Sequence, residues 1–394
     1  MEAAEQNTLP VWSNFRFTGT GPEYFRIWIV NVLLTIVTLG IYSPWAKVRR
    51  MSYFYGNTWL NDSSFAYLAN PVKILKGRII AVGVLAVYWL SINLYPTTSL
   101  WALAVLCLLF PFVLVTAMAF RTRNSAYRNI QFYFHPDFLG AYRIFILPIG
   151  IILVVTGFLY WAYLGSGIGD ALEKARGSEF HKEDMLFSIF ILVVMPVAPY
   201  IDFIRRRYIV NHVQYGSATG SFKATAWAFY KIYLLAFLFV IGLFFIVGVV
   251  AGVAIPAMKY FSPGEQSPQD MARASMSFLI IIMVIFYGLG FFVAGYVMAR
   301  LANLTYNNAE LGPLRLHSHL QGRKIGWLLL SNTVAIIVSL GLLIPWSKIR
   351  MARYIARNTE FLDNKMDSIN AVTQPDRSAI GEEISNIFDF DIGL

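Results

Sequence analysis

Charge is what this 394-residue sequence has least of: 14% of its residues are Asp, Glu, Lys or Arg, against 57% hydrophobic. A soluble globule of this size needs more polar surface than that, which excludes a soluble protein and predicts a polytopic membrane protein. Cysteine is almost absent too. The lone Cys107 lies in an apolar run, so an internal disulfide and a cysteine metal cluster are both excluded. The first 25 residues lack the apolar core of a signal peptide, and Glu2 and Glu5 precede any basic residue. Acids are scarce before the C-terminal tail. From Glu360 onward eight acids face only Lys365 and Arg377, so with +10 overall the rest of the chain carries +16. A basic excess beside apolar runs points to cytoplasmic loops and anionic lipid headgroups rather than nucleic acid.

What the sequence does have is one stretch written twice. Sliding the C-terminal region back by 301 positions puts Asn332 on Asn31, Leu340-Gly341 on Leu39-Gly40 and Pro345-Trp346 on Pro44-Trp45. The match runs on through Lys348 on Lys47, Arg350 on Arg49, Tyr354 on Tyr53 and Asn358-Thr359 on Asn57-Thr58. Segment 26–58 thus matches 327–359. The second copy departs at Leu343-Ile344, where the first has Tyr42-Ser43.

Eight apolar runs are long enough to be membrane helices: 27–42, 79–95, 100–120, 144–164, 185–204, 232–258, 276–299 and 325–344. Five of them open with a basic residue followed by Ile, as in Arg26-Ile27 and Lys324-Ile325. Upstream of each lies a stretch with strand and turn chemistry. The fold class expected is therefore all-α and polytopic, with serial units joined by short β-hairpin-like cytoplasmic connectors. A strand-like segment 1–25 precedes the membrane domain 26–358, and an acidic, disordered tail 359–394 follows it, with Ile380, Ile384, Ile387 and Phe388 as a short apolar stripe.

The positive-inside rule puts the basic loops, and the basic residues flanking the first and last runs, on the cytoplasmic side. Two arrangements follow. In one, six runs cross fully and the first and last are re-entrant, turning at Leu39-Gly40 and Leu340-Gly341; this satisfies every basic cluster and accounts for the paired Gly and Pro breaks. In the other, all eight cross and both termini are periplasmic.

The run from Thr38 to Arg49, its partner from Ser339 to Arg350, Phe15-Arg16-Phe17 with Gly19, and Leu75-Lys76-Gly77-Arg78 resemble the signature of the YjgN family of bacterial inner-membrane proteins. The resemblance covers nearly all of the membrane part. It implies a bacterial inner-membrane location, a domain of unknown function and, from the gene context of some members, a membrane zinc metallopeptidase as partner.

Candidate functional residues concentrate in the repeated stretch. Asn31 and Asn332 are mid-run amides that either line a solute path or make interhelical hydrogen bonds worth about 1 kcal/mol. Lys47, Arg49, Lys348 and Arg350 either grip lipid phosphates or an anionic substrate, or only anchor topology. Gly40, Pro44, Gly341 and Pro345 read as structural hinges, and Trp45 and Trp346 as interfacial anchors. Asp202 has Arg205 and Arg206 three and four residues on, the spacing of a local ion pair rather than a proton relay. Gly248 and Gly252 carry a close-packing spacing.

Enzyme signals are poor. His317 and His319 lack carboxylate or thiolate companions, His181 lies among solvated acids, and 165–169 lacks the strand-turn-helix setting of a nucleotide fingerprint. No metal, cofactor or catalysis is expected; membrane lipids are the expected partners. The function expected is transport or channel-like movement, or binding, of a small anionic solute or lipid headgroup. The alternative is a non-catalytic scaffold or regulator of a membrane enzyme.

Overall fold

The computed structural model describes residues 11–94, 99–166, 182–260 and 268–363. Ten helices occur there in five pairs: α1 (Gly21–Val37) with α2 (Ser43–Gly56), α3 (Pro71–Leu94) with α4 (Ser99–Arg123), α5 (Phe138–Gly165) with α6 (Lys182–His212), α7 (Ala226–Tyr260) with α8 (Pro268–Asn308), and α9 (Gly322–Val338) with α10 (Ile344–Arg357). The six helices of the three middle pairs are long and apolar enough to cross a membrane. The outer two pairs are short, at 17 and 14 residues per helix.

Local chemistry starts these helices where they start. Pro occupies the first turn of α1, α2 and α10, where its missing N–H is no loss. Asp137 caps α5, its Oδ1 accepting the Gly140 N–H at 2.9 Å.

The connectors hold eleven short strands: β1 (Val11–Asn14), β2 (Arg16–Phe17), β3 (Thr58–Leu60), β4 (Ser63–Tyr67), β5 (Ser125–Tyr127), β6 (Ile130–Phe134), β7 (Val213–Tyr215), β8 (Ala218–Phe222), β9 (Ala309–Leu311), β10 (Leu314–Ser318) and β11 (Thr359–Asp363). Each of the four local hairpins turns through two residues, with a positive φ at Asn61, at Arg128 and Asn129, at Gly216 and at Gly312. The hairpins also pair with one another. All eleven strands form one antiparallel sheet in the order β1-β11-β10-β9-β8-β7-β6-β5-β4-β3-β2. Its two ends, β1 and β2, are separated in the chain by Phe15 alone, and the Phe15 N–H still reaches the Thr359 carbonyl at 3.3 Å. One bent N-terminal segment therefore clasps both edges, Trp12 opposite Leu362 and Arg16 opposite Trp59, and the sheet curls into a near-closed barrel.

The expectation of an all-α protein is overturned by this sheet. Each connector in isolation is a two-stranded hairpin, which is marginal in water, and sequence-local patterns show no more than that. Pairing between hairpins far apart in the chain makes the barrel. The expectation of six full-length apolar helices does agree with the structure.

The barrel interior is mostly apolar. Leu60, Tyr127, Tyr215, Ala218, Leu314 and Phe361 form a buried cluster there. Its polar atoms are satisfied in series: Tyr215 Oη donates to the Tyr127 carbonyl at 2.9 Å, and Tyr127 Oη to the Leu60 carbonyl at 2.8 Å. Burial, more than the neighbouring Tyr127, pushes the Tyr215 phenol up to about 12. A cavity of about 300 Å3 remains where the barrel meets the ends of α6 and α8. The chain leaves the barrel along α1, α3, α5, α7 and α9 and returns along α2, α4, α6, α8 and α10.

A cationic cavity on the first short hairpin

The two short helical hairpins share their construction. Both turn through a Leu-Gly pair with φ of 49° and 91° at Leu39 and Gly40, and 50° and 92° at Leu340 and Gly341. A side chain at such a φ is strained, which is the physical reason for Gly at both. The Gly40 N–H bonds the Thr35 carbonyl at 2.7 Å and the Gly341 N–H the Ile336 carbonyl at 2.8 Å. Pro44 and Pro345 do not sit in the turns; both are buried in the first turn of the returning helix. At the barrel end, Tyr53 Oη accepts the Thr20 N–H at 2.9 Å and Tyr354 Oη the Gln321 N–H at 3.0 Å. The leucines at the tips, Leu39 and Leu340, are 93% and 94% exposed.

The mid-helix amides are where the two differ. Asn332 is buried and satisfied on both sides: its Nδ2 lies 3.5 Å from the Ser347 carbonyl, and its Oδ1 accepts from Arg350 Nη1 at 3.2 Å. The same guanidinium nitrogen donates to Ser331 Oγ at 2.7 Å, and the group lies 5.1 Å over the Trp346 ring. Asn31 is equally buried, and its Nδ2 donates to the Ala46 carbonyl at 3.4 Å. Its Oδ1, however, accepts no hydrogen bond. Arg49, which matches Arg350, is exposed, and Val30 stands where the second hairpin has Ser331.

Asn31 instead lines a cavity of about 340 Å3 between α1, α2 and α3. Ser43, Lys47, Arg50 and Arg78 supply the polar wall; Trp28, Val32 and Ile36 supply apolar wall. None of the described lining residues is acidic. Arg78 reaches in from α3, its Nη1 donating to Ser43 Oγ. It lies seven residues into α3, about 10 Å along the helix at 1.5 Å per residue. Cations held at this depth beside apolar wall are suited to an anion whose attached group is apolar.

The sequence pointed to Asn31 and Lys47 in this cavity. It pointed to Lys348 and Arg350 as well, but Lys348 is exposed and Arg350 is engaged with Asn332 and Ser331. Trp45 stacks on Tyr42 at 6.1 Å and Trp346 carries the Arg350 guanidinium. Arg50 and Arg78 were not singled out. For Arg50 a signal existed in the comparison of the two copies: at lining positions Tyr24, Thr35, Ser43 and Arg50, the positions 301 residues on hold Ile325, Ile336, Ile344 and Met351.

Other candidates resolve differently. Asp202 is held by Arg205 at 2.8 Å and Arg206 at 3.0 Å, the local pair its spacing predicts, and Arg206 also donates to Thr305 Oγ1 at 2.8 Å. His317 on β10 and His319, just past its end, have ring centroids 6.3 Å apart. Among the described residues no three His, Cys, Asp or Glu gather as metal ligands. A Cβ on Gly248 or Gly252 would touch nothing within 4 Å; the close helix approach is between Gly295 of α8 and Gly326 of α9, where a Cβ on Gly295 would lie 2.3 Å from the Gly326 nitrogen. His181, most of 165–169 and the acidic tail from 364 onward lie outside the described residues.

Comparison with known proteins agrees with the membrane reading. Residues 13–387 match the family described as "Bacterial protein of unknown function (DUF898)". The chain is similar to the protein named "Inner membrane protein YjgN" of Salmonella typhimurium strain LT2, at 26% identity over 90% of this chain and 89% of that one. It is similar to the Escherichia coli K12 protein of the same name at 24% identity over 92% of each chain. No solved structure matches.

Proposed function

The chain belongs to that family of bacterial proteins, DUF898, and from this premise we propose that it is an integral inner-membrane protein that binds an anionic, phosphate-bearing headgroup in the cavity of its first short hairpin. The six apolar helices cross the bilayer. The barrel lies on the cytoplasmic side, where the basic connectors belong. Since α1 and α2 join the paired strands β2 and β3, the first hairpin leaves the barrel and comes back to it, and likewise the last; both are re-entrant, with Leu39 and Leu340 in hydrocarbon.

The observation that carries the binding assignment is the cavity wall, where Lys47, Arg50 and Arg78 converge beside Ser43 and the apolar Trp28, Val32 and Ile36. The same chemistry would take a lipid headgroup or a free phosphate, and the apolar wall favours the lipid. A mostly apolar barrel interior and an internally satisfied Asn332 support the alternative, a scaffold for a membrane enzyme such as a zinc metallopeptidase.

Native mass spectrometry of the protein released from nanodiscs of phosphatidylcholine with an anionic phospholipid tests the assignment. The wild type is expected to retain the anionic lipid, and K47Q/R50Q/R78Q to lose it, while K348Q retains it. Binding of inorganic phosphate alone by calorimetry would identify a free-anion site instead. Equal retention of both lipids by the wild type overturns the assignment. Flux of anion or headgroup in proteoliposomes would extend binding to transport. Side is tested by thiol labelling of Asn14→Cys and Ser217→Cys on a Cys107→Ser background; labelling of intact cells by an impermeant reagent would put the barrel outside.

A further inference from the structure

Beyond the headgroup reading and independent of it, we infer that the barrel holds one long-chain fatty acid, its hydrocarbon chain in the barrel cavity and its carboxylate at Arg121 and Tyr306. The barrel cavity of about 300 Å3 has a neighbour of about 410 Å3, between the barrel and the ends of α2, α4, α8 and α10. Both are lined by Phe15, Phe65, Tyr306 and Leu316, so they adjoin as one elongated chamber. Protein interiors are close-packed, and a void of this size calls for an occupant. Phe15, Phe65, Phe132, Leu311 and Leu316 pack against the buried barrel cluster and are themselves only half-buried, as walls of a space rather than parts of a filled core.

Water does not suit the first cavity, because its polar side chains are committed elsewhere. The Tyr127 and Tyr215 hydroxyls donate to backbone carbonyls, Glu310 is paired with Lys223 and Arg315, and Thr305 accepts from Arg206 while donating to the Leu301 carbonyl. A hydrocarbon chain suits that wall. The second cavity supplies the polar end. Its Thr58 and Thr359 hydroxyls already donate to the Phe54 and Ile355 carbonyls, and Tyr55 is engaged with Ser125. Arg121 and Tyr306 are the donors that suit a carboxylate there, and the guanidinium acts electrostatically on the phenol, which places the two groups together. A guanidinium has five N–H donors, so bonds it makes within the protein leave others for a ligand. Even together the cavities are small for a two-tailed phospholipid, and the membrane-length helices α4 and α8 end at their wall, where a single-chain amphiphile gathers.

The test uses the full-length protein in nanodiscs and palmitate carrying a diazirine at its methyl end. Irradiation is expected to attach the label to barrel peptides holding Phe132, Tyr215 or Leu314, and excess unlabelled palmitate to remove it. Hexadecanol, which has the chain without the charge, is expected to compete about tenfold less well, the difference one charge-assisted hydrogen bond makes. Arg121→Gln should bring palmitate down to the level of hexadecanol and leave hexadecanol unchanged, a pattern that misfolding does not give. Ala352→Phe, which narrows the second cavity, should weaken both. K47Q/R50Q/R78Q should label as the wild type does, since the first-hairpin site is separate. Label confined to the membrane helices, or label that excess palmitate leaves in place, overturns the fatty-acid site. Equal competition by palmitate and hexadecanol overturns the placing of a carboxylate at Arg121.

Discussion

The first and last helical hairpins are built alike and finished differently. Their turns, their buried prolines and their tyrosine bonds to the barrel agree within a few tenths of an ångström or a degree or two. The surroundings of the mid-helix amide diverge most. In the last hairpin Arg350 and Ser331 complete the network inside the protein. In the first, Val30 removes the serine, Arg49 turns to the surface, and the cavity takes on Thr35, Ser43 and Arg50 in place of Ile336, Ile344 and Met351. One architecture thus serves as a filled structural wedge at one end of the chain and as a polar cavity at the other. A repeated motif fixes geometry, and a few substitutions within it decide whether its buried amide is internally satisfied or left with an unpaired acceptor.

The comparison breaks most visibly at Arg350. Arg350→Met should leave the Asn332 oxygen and Ser331 hydroxyl without their shared donor and cost about 2 to 3 kcal/mol, read as a lowered unfolding midpoint in detergent. The matching Arg49→Met should stay within about 0.5 kcal/mol of wild type, as exposed substitutions do. The turns should respond together: Gly40→Val and Gly341→Val each force a branched side chain to a φ near +90°, and each should destabilise by about 1 to 2 kcal/mol. An effect at one turn only would show that the two are not equivalent. The amides should respond oppositely. Asn332→Leu strips an acceptor from Arg350 and destabilises by about 1 to 3 kcal/mol, whereas Asn31→Leu removes a group already short of a partner and should be neutral or stabilising without lipid.

The smallest effect lies at the barrel end, where Tyr53 Oη lies 3.2 Å from Glu23 Oε2, while the position matching Glu23 is Lys324. Burial first, and Glu23 among the other causes, raise the Tyr53 pKa above 10 in the folded state. The neutral phenol is therefore the form the fold favours, so its contribution is fully present below pH 10 and lost as pH rises past it. Tyr53→Phe should flatten the alkaline decline of stability slightly, measured by unfolding midpoints between pH 9 and about 11.

Reading the sequence located the repeated hairpins because a gapless self-match through Asn31, Gly40, Pro44 and Trp45 is a local pattern. It also located the six apolar helices, since length and hydropathy need no partner to be visible. It did not locate Arg78 as part of the cavity. That residue lies on another helix, and only the packing of α2 on α3 carries it to Ser43. It treated Asn31 and Asn332 as equivalent, because the difference between them rests on the rotamer of one arginine and on Val30 in place of Ser331.

Composition alone determined that this chain lives in a membrane: 57% hydrophobic residues with 14% charged cannot clothe a soluble protein of this length. Alternation and turn residues determined that the connectors are strands. The tertiary structure decided that those strands form one near-closed barrel, because closure needs Trp12 to pair with Leu362, 350 residues on in the chain, while Arg16 pairs with Trp59 across the first hairpin. It decided, for the same reason, which amide is left with an unpaired acceptor. Hydrogen-bond satisfaction of a buried group is a property of everything that surrounds it, and a linear sequence does not state what surrounds what.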